Sequence, residues 1–321
     1  MGCSMRVLVV GGAGYVGGGV TDYLHEMGHE TRVYDGLFYE ESYRKDVHFI
    51  YGDIRDHERL LPQLKWAEVV VWLAALVGDG ACSLNPDITE VINQQEVKWM
   101  ADHFDGRIIF MSTCSVYGAQ DDVLDETSPT NPLSAYASTK LAAEQHLKGR
   151  DALVFRLGTL FGVSDQFARI RLDLVVNTLV LKAATIGKLT VFGGDQFRPL
   201  LHVKDVARAI AQNVGTSHTG IYNLHRQNVR IVDLAYQVRN HFPDTQIEQT
   251  PMHFQDARNY RVQSERATKL LGFNPVVSID DGIEEVKELI LEGRIRDFDN
   301  PRYSNQAFLS KFMPHLQHTG A

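Results

Sequence analysis

The stretch RVLVVGGAGYVGGGV, residues 6–20, decides the fold, because it joins a short apolar run to a glycine-rich turn and then to a second apolar pattern. The run Arg6–Val10 predicts a β-strand that is covered on both faces, as strands of parallel sheets are. The segment after the glycines, which reaches Met27, has the apolar spacing of an α-helix. A strand, a tight turn and a helix in this order predict the first unit of a doubly wound α/β fold.

The turn between this strand and this helix contains three glycines with the spacing GxxGxxG, at Gly11, Gly14 and Gly17. Gly11 permits the tight turn, Gly14 lets the backbone approach a diphosphate, and Gly17 allows the helix to pack closely. The helix N-terminus adds N–H donors and a positive dipole end, which favour a phosphate group. We therefore expect a dinucleotide to bind here, in contact with the turn and with its neighbours Tyr15 and Val16.

The second predicted strand ends in an acidic residue, Asp35, which follows Gly17 by eighteen positions. A carboxylate at this position accepts hydrogen bonds from the adenosine ribose and repels a 2′-phosphate, so we expect NAD rather than NADP. The alternative is that Asp35 only caps a turn or a helix. We also expect Asp53 and Ile54, after a third strand, to lie beside the adenine, although Asp53 could equally be the N-cap of a helix that begins at His57.

Short apolar runs alternate with helical patterns along the first half of the chain, which predicts parallel strands joined by crossover helices. After about residue 165 the helices become longer and the apolar runs isolated, which indicates a second domain. We predict a doubly wound parallel sheet in residues 1–165, with a returning segment near 199–224, and a smaller, mainly helical substrate domain in residues 166–321. The later predicted strands are 69–75, 107–112, 152–157, 189–192, 199–203 and 220–224.

Composition and charge exclude several classes of protein. The chain has 321 residues, 44% hydrophobic content and a net charge of −8, which fits a globular protein and argues against a surface that binds nucleic acid. Its three cysteines, Cys3, Cys82 and Cys114, have no disulfide or metal-site spacing, so we expect no metal and a reducing, cytoplasmic location. No stretch approaches the roughly 18 consecutive apolar residues of a membrane-spanning helix, and we interpret residues 1–4 as a short leader.

A predicted helix in the stretch PLSAYASTKLAAEQHL, residues 132–147, places Tyr136 and Lys140 four positions apart and hence on one face. A phenol has an ordinary pKa of about 10, but a neighbouring ammonium group favours the phenolate and lowers that pKa. The pair can therefore transfer a proton at neutral pH. The alternative is that both side chains belong to a solvated helix face.

Together these motifs resemble the extended short-chain dehydrogenase/reductase family, in its branch of nucleotide-sugar epimerases and dehydratases. The resemblance covers nearly the whole chain and includes the glycine turn, LAA (73–75), STCSVYG (112–118), YASTK (136–140) and FGGDQFRPLLHVKD (192–205). It implies a Rossmann-type fold, a tightly held NAD, a nucleotide-diphosphate sugar as the substrate and a homodimer. The dimer contact of the family would fall on helices predicted near 90–104 and 133–149.

Carried over position by position, the resemblance assigns roles to the candidate catalytic residues. Tyr136 would exchange a proton with a substrate hydroxyl, while Thr113 would hydrogen-bond the same substrate oxygen. Lys140 would lower the pKa of the tyrosine and hold the nicotinamide ribose. Tyr117 would lie near the substrate mouth, with core packing as the alternative. The residues expected to line the cofactor are Leu73, Ala74 and Ala75.

The second domain would hold the nucleotide and its diphosphate. Arg198 and Arg258 resemble diphosphate-binding arginines of the family, and a guanidinium group suits phosphate oxygens. Asn177 could donate its amide to the same group, and Asp79 lies on the loop after the fourth strand, which approaches the substrate in such folds. For Arg198 the alternative is a surface ion pair, and His202 could simply be a polar residue at the domain junction.

Residues 114 and 115 separate several reactions, because family members that eliminate water carry an acid pair there, whereas this chain has Cys114 and Ser115. This difference argues against a hexose 4,6-dehydratase. A 4-epimerase needs only the tyrosine, the threonine and NAD, with Cys114 as a small packing residue. A 3- or 5-epimerase needs a further acid/base, and a thiol with a lowered pKa could provide it, so Cys114 is also a catalytic candidate.

We therefore expect an NAD-dependent nucleotide-sugar epimerase that works through a transient keto-sugar intermediate. One alternative is a nucleotide-sugar dehydrogenase or 4-ketoreductase, which would use added NAD(P)H in proportion to product. A more remote alternative is a non-catalytic, NAD(P)-sensing binding protein that keeps the fold. The signatures of decarboxylating relatives are not evident in the sequence.

Overall fold

The computed structural model describes residues 4–251 and 259–316 and shows an α/β protein. The strands are β1 Arg6–Val10, β2 Glu30–Asp35, β3 His48–Tyr51, β4 Val69–Trp72, β5 Arg107–Thr113, β6 Val123–Leu124, β7 Ala152–Leu157, β8 Thr159–Phe161, β9 Lys188–Phe192, β10 Phe197–His202, β11 Gly220–Leu224, β12 Gln227–Arg230, β13 Gln246–Thr250 and β14 Arg261–Val262. The helices are α1 Tyr15–Glu26, α2 His57–Trp66, α3 Asp79–Cys82, α4 Pro86–Glu90, α5 Glu96–His103, α6 Ala135–His146, α7 Val175–Thr185, α8 Val203–Asn213, α9 Ile231–His241, α10 Glu265–Leu271, α11 Ile279–Leu291 and α12 Asn305–Leu316. A π-helical turn, Val91–Gln95, joins α4 to α5, and 3-10 turns span Cys114–Tyr117 and Pro301–Tyr303.

Seven parallel strands form the main sheet in the order β11-β7-β5-β4-β1-β2-β3. The chain starts in the middle at β1, builds outward to β3, and then crosses back to β4 on the other side of β1. Residues of β1 pack alternately into two apolar clusters, with Leu8 and Val10 in one and Val7 and Val9 in the other. The doubly wound fold is therefore confirmed, and its reversal of strand order is the point where such proteins bind ligands, outside the carboxyl ends of the strands.

The largest difference between a predicted and an observed strand boundary lies at β4. The sequence predicts a strand over 69–75, but β4 ends at Trp72. The N–H groups of Leu73 and Ala74 both donate to the carbonyl of Val10, at 2.8 and 2.9 Å, and turn the chain away from the sheet. Residues 73–75 are apolar because they cover the carboxyl edge of the sheet, and not because they pair with a neighbouring strand.

The second unit of the structure combines small sheets with helices. β8, β10 and β12 form one sheet, and β9 pairs with β13 in another. α7, α9 and α11 pack with these strands around an apolar core that includes Val180, Leu189 and Ile283. The predicted boundary at residue 165 falls in the loop between β8 and α7.

Segments from the C-terminal half also return to the main sheet. β11 forms the edge strand beside β7, and α8 packs on α1, whereas β10 stays in the second unit. α12 returns as well, which the sequence did not indicate. Its residues Leu309 and Met313 are buried in the same apolar cluster as Trp72 of β4. The main sheet is therefore completed by the late part of the chain.

A buried ion pair fixes α6 against the sheet. Arg156 on β7 donates to both carboxylate oxygens of Glu144, at 3.0 and 2.7 Å. The hydroxyl of Ser112 on β5 donates to the same carboxylate at 2.5 Å. The side chains of Glu144 and Arg156 are 0% and 5% exposed, so the surrounding core restricts both to one conformation. This pair therefore sets the position of α6 and of the side chains on its first turns.

Among the described residues, no helix has both the length and the apolar composition that a membrane span requires. The same two ranges contain no group of three or more His, Cys, Asp or Glu side chains that could hold a metal ion. Cys82 and Cys114 are both buried and free, and Cys3 lies outside the described residues.

Candidate active site

A cavity of about 1440 Å³ opens at the carboxyl edge of the main sheet, beside the switch point between β1 and β4. Ligand cavities are usually about 300–1000 Å³, so this one can hold a dinucleotide together with a second molecule. Its walls come from the glycine turn, the loops after β2, β4 and β5, the first turns of α6, and the second unit. The predicted site residues that line it are Gly11, Gly14, Tyr15, Val16, Asp35, Asp53, Ile54, Leu73, Ala74, Ala75, Asp79, Thr113, Tyr136, Lys140 and Arg198.

The glycine turn has the geometry of a phosphate cradle. Gly11 has a φ of +85°, and a Cβ atom there would lie 2.5 Å from the backbone nitrogen of Ala74, so only glycine fits. Gly14 precedes α1, and a Cβ there would meet only the carbonyl oxygen of Gly11, at 3.2 Å. The first turn of α1 has no acidic residue and no side-chain cap. The N–H groups at this helix end are therefore available to an anion, and the turn fits the diphosphate of a dinucleotide.

Gly17 and Tyr15 support this turn through contacts with the rest of the protein. A Cβ at Gly17 would collide with the backbone of Gly12, so glycine lets α1 approach the strand closely. The hydroxyl of Tyr15 donates to the carbonyl of Gly162 at 2.8 Å, which ties the turn to the second unit, and burial raises the pKa of this phenol. Gly17 shapes the site without bordering the cavity, whereas Tyr15 does both.

Asp35 ends β2 and faces the cavity. Its carboxylate accepts hydrogen bonds from the N–H groups of Ala13, at 3.0 Å, and of Leu37, at 2.7 Å. Asp35 therefore does cap the two adjacent turns, as the alternative interpretation proposed. A carboxylate has about four acceptor sites, so this bonding leaves capacity for the hydroxyls of a ribose. Burial raises the pKa of this carboxyl group, whereas the two N–H donors and the charge of Arg169 lower it.

Asp53 follows β3 and is paired with Arg55, whose Nε and Nη2 atoms donate to the carboxylate at 2.9 and 2.6 Å. The N-cap of α2 is Asp56, whose side chain accepts a hydrogen bond from the N–H of Arg59. The interpretation of Asp53 as the N-cap of this helix is therefore wrong. Asp53 and Ile54 both line the cavity, and their contact with the adenine stays a prediction.

Tyr136, Lys140 and Thr113 border the cavity together. Ser134 caps α6 by accepting a backbone N–H at 3.2 Å, so Tyr136 falls in the first helical turn and Lys140 one turn later. The ammonium group of Lys140 donates to the carbonyl of Met111 on β5 at 2.9 Å. Thr113 is the last residue of β5, at the end of the same strand. The structure thus brings together the three residues that the sequence assigned to proton transfer.

The pKa of Tyr136 differs from the expectation. Burial raises the pKa of this phenol above its ordinary value, and the opposing effects of Thr113 and Arg171 do not offset the increase. The expected net lowering of this pKa is therefore wrong, because desolvation by burial dominates and the nearby groups of Cys82 and Asp79 add to it. Burial also lowers the pKa of Lys140 itself to about 8. The phenol is consequently protonated at neutral pH, beside an amine that titrates close to neutrality.

Cys114 does not face the cavity, which corrects its assignment as a catalytic candidate. The residue is fully buried, its thiol donates to the carbonyl of Arg156 at 3.2 Å, and burial raises the pKa of that thiol. A reactive thiol needs the opposite shift together with access to the substrate. Ser115 faces the cavity instead, and its hydroxyl lies 3.3 Å from the hydroxyl of Tyr260.

Tyr117 and Asn177 were predicted to contact the substrate, but neither residue lines the cavity. Tyr117 is fully buried and donates its hydroxyl to the side chain of Asn223 at 2.9 Å, which makes the core-packing alternative correct. The side chain of Asn177 is buried and bonds to the N–H and carbonyl of Gly162, at 2.9 and 3.1 Å, and to the carbonyl of Arg171, at 2.8 Å. Asn177 therefore fixes the loop between β8 and α7.

The remaining predicted residues of the second unit have different outcomes. Arg198 is buried, lines the cavity and donates to the carbonyl of Phe197 at 2.8 Å, so it does not lie on the surface as the alternative interpretation assumed. His202 is buried within hydrogen-bond distance of Glu285, at 2.8 Å, which agrees with its interpretation as a satisfied polar residue. Arg258 lies outside the described residues, so its role stays a prediction.

Asp79, the first residue of α3, lines the cavity and accepts a hydrogen bond from the hydroxyl of Ser134 at 2.7 Å. This contact joins the loop after β4 to the first turn of α6. Sequence reasoning assigned no site role to several other polar residues of the cavity wall, which are Ser115, Ser134, Arg169, Arg171, Tyr260 and Asn305. Ser134 carries a recognisable signal as a helix cap. The two arginines carry none, because they lie in an irregular loop without a motif.

A seven-stranded doubly wound sheet, with a glycine cradle and a tyrosine–lysine helix at its carboxyl edge, defines a dinucleotide-binding protein of the short-chain dehydrogenase/reductase class. The chain belongs to the NAD dependent epimerase/dehydratase family, whose sequence model matches residues 7–224. The match confirms the family and the cofactor, NAD, that the sequence predicts.

The named proteins that this chain resembles catalyse more than one reaction, according to their names. The UDP-glucose 4-epimerase of Corynebacterium glutamicum is 28% identical over an alignment of 303 residues that covers 84% of this chain and 91% of that protein. The UDP-glucuronic acid decarboxylase 1 of Danio rerio is 25% identical over an alignment of 300 residues that covers 87% of this chain and 71% of that protein. Among solved structures, the UDP-glucose 4-epimerase of Thermotoga maritima with UDP-glucose has a TM-score of 0.79 at 22% identity, covering 91% of this chain and 100% of that one. The structural similarity supports the same fold.

Proposed function

We propose that the protein is an NAD-dependent epimerase that acts on a nucleotide-diphosphate sugar through a transient keto-sugar. The observation that carries this proposal is the convergence of Thr113, Tyr136 and Lys140 on one cavity with the glycine turn. These side chains leave β5 and α6, and the buried pair of Glu144 and Arg156 holds α6 in place. Such a constellation supports reversible proton transfer at one sugar hydroxyl.

Tyr136 acts as the acid and the base in this proposal. Burial keeps its phenol protonated at neutral pH, while Thr113 and the charge of Arg171 favour the phenolate that proton abstraction requires. Thr113 forms a second hydrogen bond to the same sugar oxygen, and Lys140 orients the ribose of the cofactor. When bound, NAD supplies the acceptor and donor of hydride.

The surroundings of residues 114 and 115 favour a 4-epimerase over reactions that need a further acid. Ser115 faces the cavity where a dehydratase would carry an acid, and the thiol of Cys114 is buried away from it. A 3- or 5-epimerase would therefore need another group. Asp79 is the remaining candidate, since it borders the cavity and its charge acts on Tyr136.

The substrate that we propose is a UDP-sugar held by the second unit. The names of the relatives support the nucleotide, and the buried guanidinium of Arg198 at the cavity wall suits a diphosphate. A second candidate function is oxidation of UDP-glucuronic acid followed by loss of CO2. Arg171 favours it, because this cation acts on Tyr136 and could face a carboxylate, although it is already paired with Asp173 at 2.9 Å.

The deciding experiment follows UDP-glucose, UDP-N-acetylglucosamine and UDP-glucuronic acid by proton NMR, without added cofactor. Formation of a C4 epimer, with no CO2 and no net NADH, supports the proposal. Release of CO2 supports the second candidate. Product that forms only with stoichiometric NAD(P)H would identify a dehydrogenase or 4-ketoreductase. If the NAD-loaded protein converts none of these and no other nucleotide sugar, the non-catalytic NAD(P)-sensing protein becomes the better interpretation.

We also propose that the protein is a cytoplasmic homodimer. α5 and α6 pack side by side within the two helical stretches that the sequence predicts for the dimer contact. The two described cysteines are free, as a reducing compartment requires. Multi-angle light scattering should give twice the chain mass of 36.1 kDa. A single-chain mass at micromolar concentration would contradict the dimer.

A further inference from the structure

Arg169 is a buried cation without a counter-ion in the part of the chain that the structure describes. The residue is 6% exposed and lines the cavity, and its Nε atom has no hydrogen-bond partner. Its Nη2 atom donates to the carbonyl of Arg302 at 3.2 Å, and its guanidinium lies 3.3 Å from the ring centre of Tyr39. Burying an unpaired charge is unfavourable, so such a group indicates that an anionic ligand binds beside it.

Three carboxylates, those of Asp173, Glu40 and Asp35, act on the charge of Arg169, but none of them forms an ion pair with it among the described residues. Asp173 forms a two-bond ion pair with Arg171, at 2.9 and 3.0 Å. Glu40 pairs with Arg302 at 2.5 Å. The charges of Asp173 and Glu40 therefore offset only part of the cost of burying Arg169. Burial accordingly lowers the pKa of Arg169 to about 10.

Arg169 belongs to the part of the cavity that surrounds the start of α1. The preceding residue, Ala168, packs so closely on Gly18 of α1 that a Cβ at Gly18 would collide with it. Tyr39, which stacks with the guanidinium, lies on the loop after β2, four positions beyond Asp35. The charge of Arg169 also reaches the carboxyl group of Asp35. An anion at Arg169 therefore belongs to a molecule that also contacts the glycine turn.

The segment before α12 holds Arg169 and closes this end of the cavity. Arg302 accepts its hydrogen bond through the backbone and pairs with the loop after β2 through its side chain. Asn305 donates its side-chain amide to Val77 at 2.7 Å and its backbone N–H to Asp173 at 2.8 Å. The Oδ1 atom of Asn305 is buried without a partner in the same wall. The segment thus bridges the loops after β2, β4 and β8.

We propose that Arg169 binds the diphosphate of NAD, so that the second unit and the C-terminal segment hold the cofactor together with the glycine turn. A diphosphate is the anionic group of a dinucleotide that binds at a helix N-terminus, and a guanidinium can donate two parallel hydrogen bonds to phosphate oxygens. The bound anion would compensate the buried charge. This assignment rests on the cofactor of the family and does not depend on which sugar reaction the protein performs.

The test compares the binding of NAD to nucleotide-free wild type, Arg169→Met and Arg6→Met by isothermal titration calorimetry. Arg6 is a matched control, because it is an exposed arginine at the start of β1, paired with Glu68 at 3.7 Å. We expect Arg169→Met to raise the Kd for NAD about ten- to hundredfold, the usual effect of losing hydrogen bonds to a charged group, and Arg6→Met less than about twofold. ADP-ribose, which keeps the diphosphate, should lose affinity in parallel. An unchanged Kd for NAD in Arg169→Met would overturn the proposal.

Thermal unfolding of the nucleotide-free proteins separates a binding role from a structural one. Because the burial of the Arg169 charge is unfavourable, Arg169→Met should unfold at the same temperature as wild type or above it. NAD should raise the Tm of this variant by less than it raises the Tm of wild type. A lower Tm together with unchanged NAD affinity would make Arg169 a structural residue and overturn the proposal. If Arg169→Met does not fold, Arg169→Lys should still weaken NAD binding severalfold, because an ammonium group lacks the planar fork.

Two other nucleotides test different sources of the anion. If Arg169→Met loses affinity for UDP but keeps that for NAD, the residue binds the diphosphate of the sugar nucleotide. If wild type prefers NADP and only NADP binding is lost, the residue binds the 2′-phosphate. Either result would overturn the assignment to the diphosphate of NAD.

Discussion

The thiol of Cys114 donates to the carbonyl oxygen of Arg156 at 3.2 Å, on the side of the turn after β5 that faces the core. The next residue, Ser115, borders the cavity instead. Two neighbouring positions of one turn therefore have different surroundings, and only the second is available to a ligand.

Replacing Cys114 by alanine should leave turnover within about twofold of wild type, because the thiol does not reach the cavity. The free energy of unfolding should fall by about 1 kcal/mol, through the loss of a small buried group and a weak hydrogen bond. Cys82→Ala is the control for stability, since that thiol is equally buried and donates to the carbonyl of Leu76 at 3.4 Å. Steady-state kinetics and urea unfolding measure both quantities. A turnover loss above about tenfold in Cys114→Ala alone would restore the catalytic thiol.

Replacing Tyr136 by phenylalanine should lower kcat by about 10²- to 10⁴-fold, because a positioned acid/base contributes about that factor. The Kd for NAD should change little, since the glycine turn and Asp35 are untouched. Tyr117→Phe is the matched control. It removes a phenol that bonds to Asn223 outside the cavity, so stability should fall while turnover persists. Equal turnover in Tyr136→Phe and wild type would exclude the catalytic role of this tyrosine.

The buried amine of Lys140 should make stability depend on pH. Its pKa is about 8 in the folded protein, below the ordinary 10.5 that applies to the unfolded chain. Below about pH 8 the fold carries a buried ammonium, and between about pH 8 and 10.5 only the unfolded chain keeps the proton, so folding becomes more favourable as pH rises.

Lys140→Met lacks this dependence. The stability of wild type relative to this variant should therefore increase by about 2 kcal/mol between about pH 7 and about pH 9.5. Urea unfolding of the nucleotide-free proteins at both pH values gives the difference, and the other titrating groups cancel in the comparison. If the stability difference between wild type and Lys140→Met stays constant with pH, the fold does not lower the pKa of Lys140.

Removing the carboxylate of Glu144 should strongly destabilise the protein. Glu144→Ala leaves Arg156 buried without its partner, which costs about 3–5 kcal/mol in comparable cases. Asp102→Ala is the control, because Asp102 and its partner Lys98 on α5 are 47% and 57% exposed, and such pairs contribute less than about 1 kcal/mol. Urea unfolding at neutral pH separates the two. Similar losses in both variants would mean that the buried pair does not fix α6.

Local sequence patterns were sufficient for the main sheet and for part of the site. The position of Asp35 at the end of β2 follows from strand length, and the shared face of Tyr136 and Lys140 follows from helical periodicity. Both depend on residues that are close in the chain. The glycine spacing likewise predicts one turn and its contacts, since Gly11 and Gly14 act through the backbone.

Side-chain direction at irregular positions could not be obtained in the same way. Cys114 and Tyr117 lie in a 3-10 turn, where neither a period of two nor one of 3.6 determines which side faces the core. Asn177 lies in a helix, but its side chain points to the preceding loop and forms hydrogen bonds with the backbone of that loop. Arg169 enters the cavity because its loop packs on α1 and on the segment before α12, and such long-range contacts leave no local pattern.

The return of α12 and β11 to the main sheet also sets the order in which the protein can be completed during translation. β7 acquires its edge partner only when residues 220–224 have been made, and the cluster around Trp72 is covered only after Leu309 and Met313. The edge of β7 is therefore open while residues 158–219 are made, and the apolar face around Trp72 stays uncovered from β4 until α12 has been made. Both are surfaces of the kind that pair or aggregate with other chains when they are exposed.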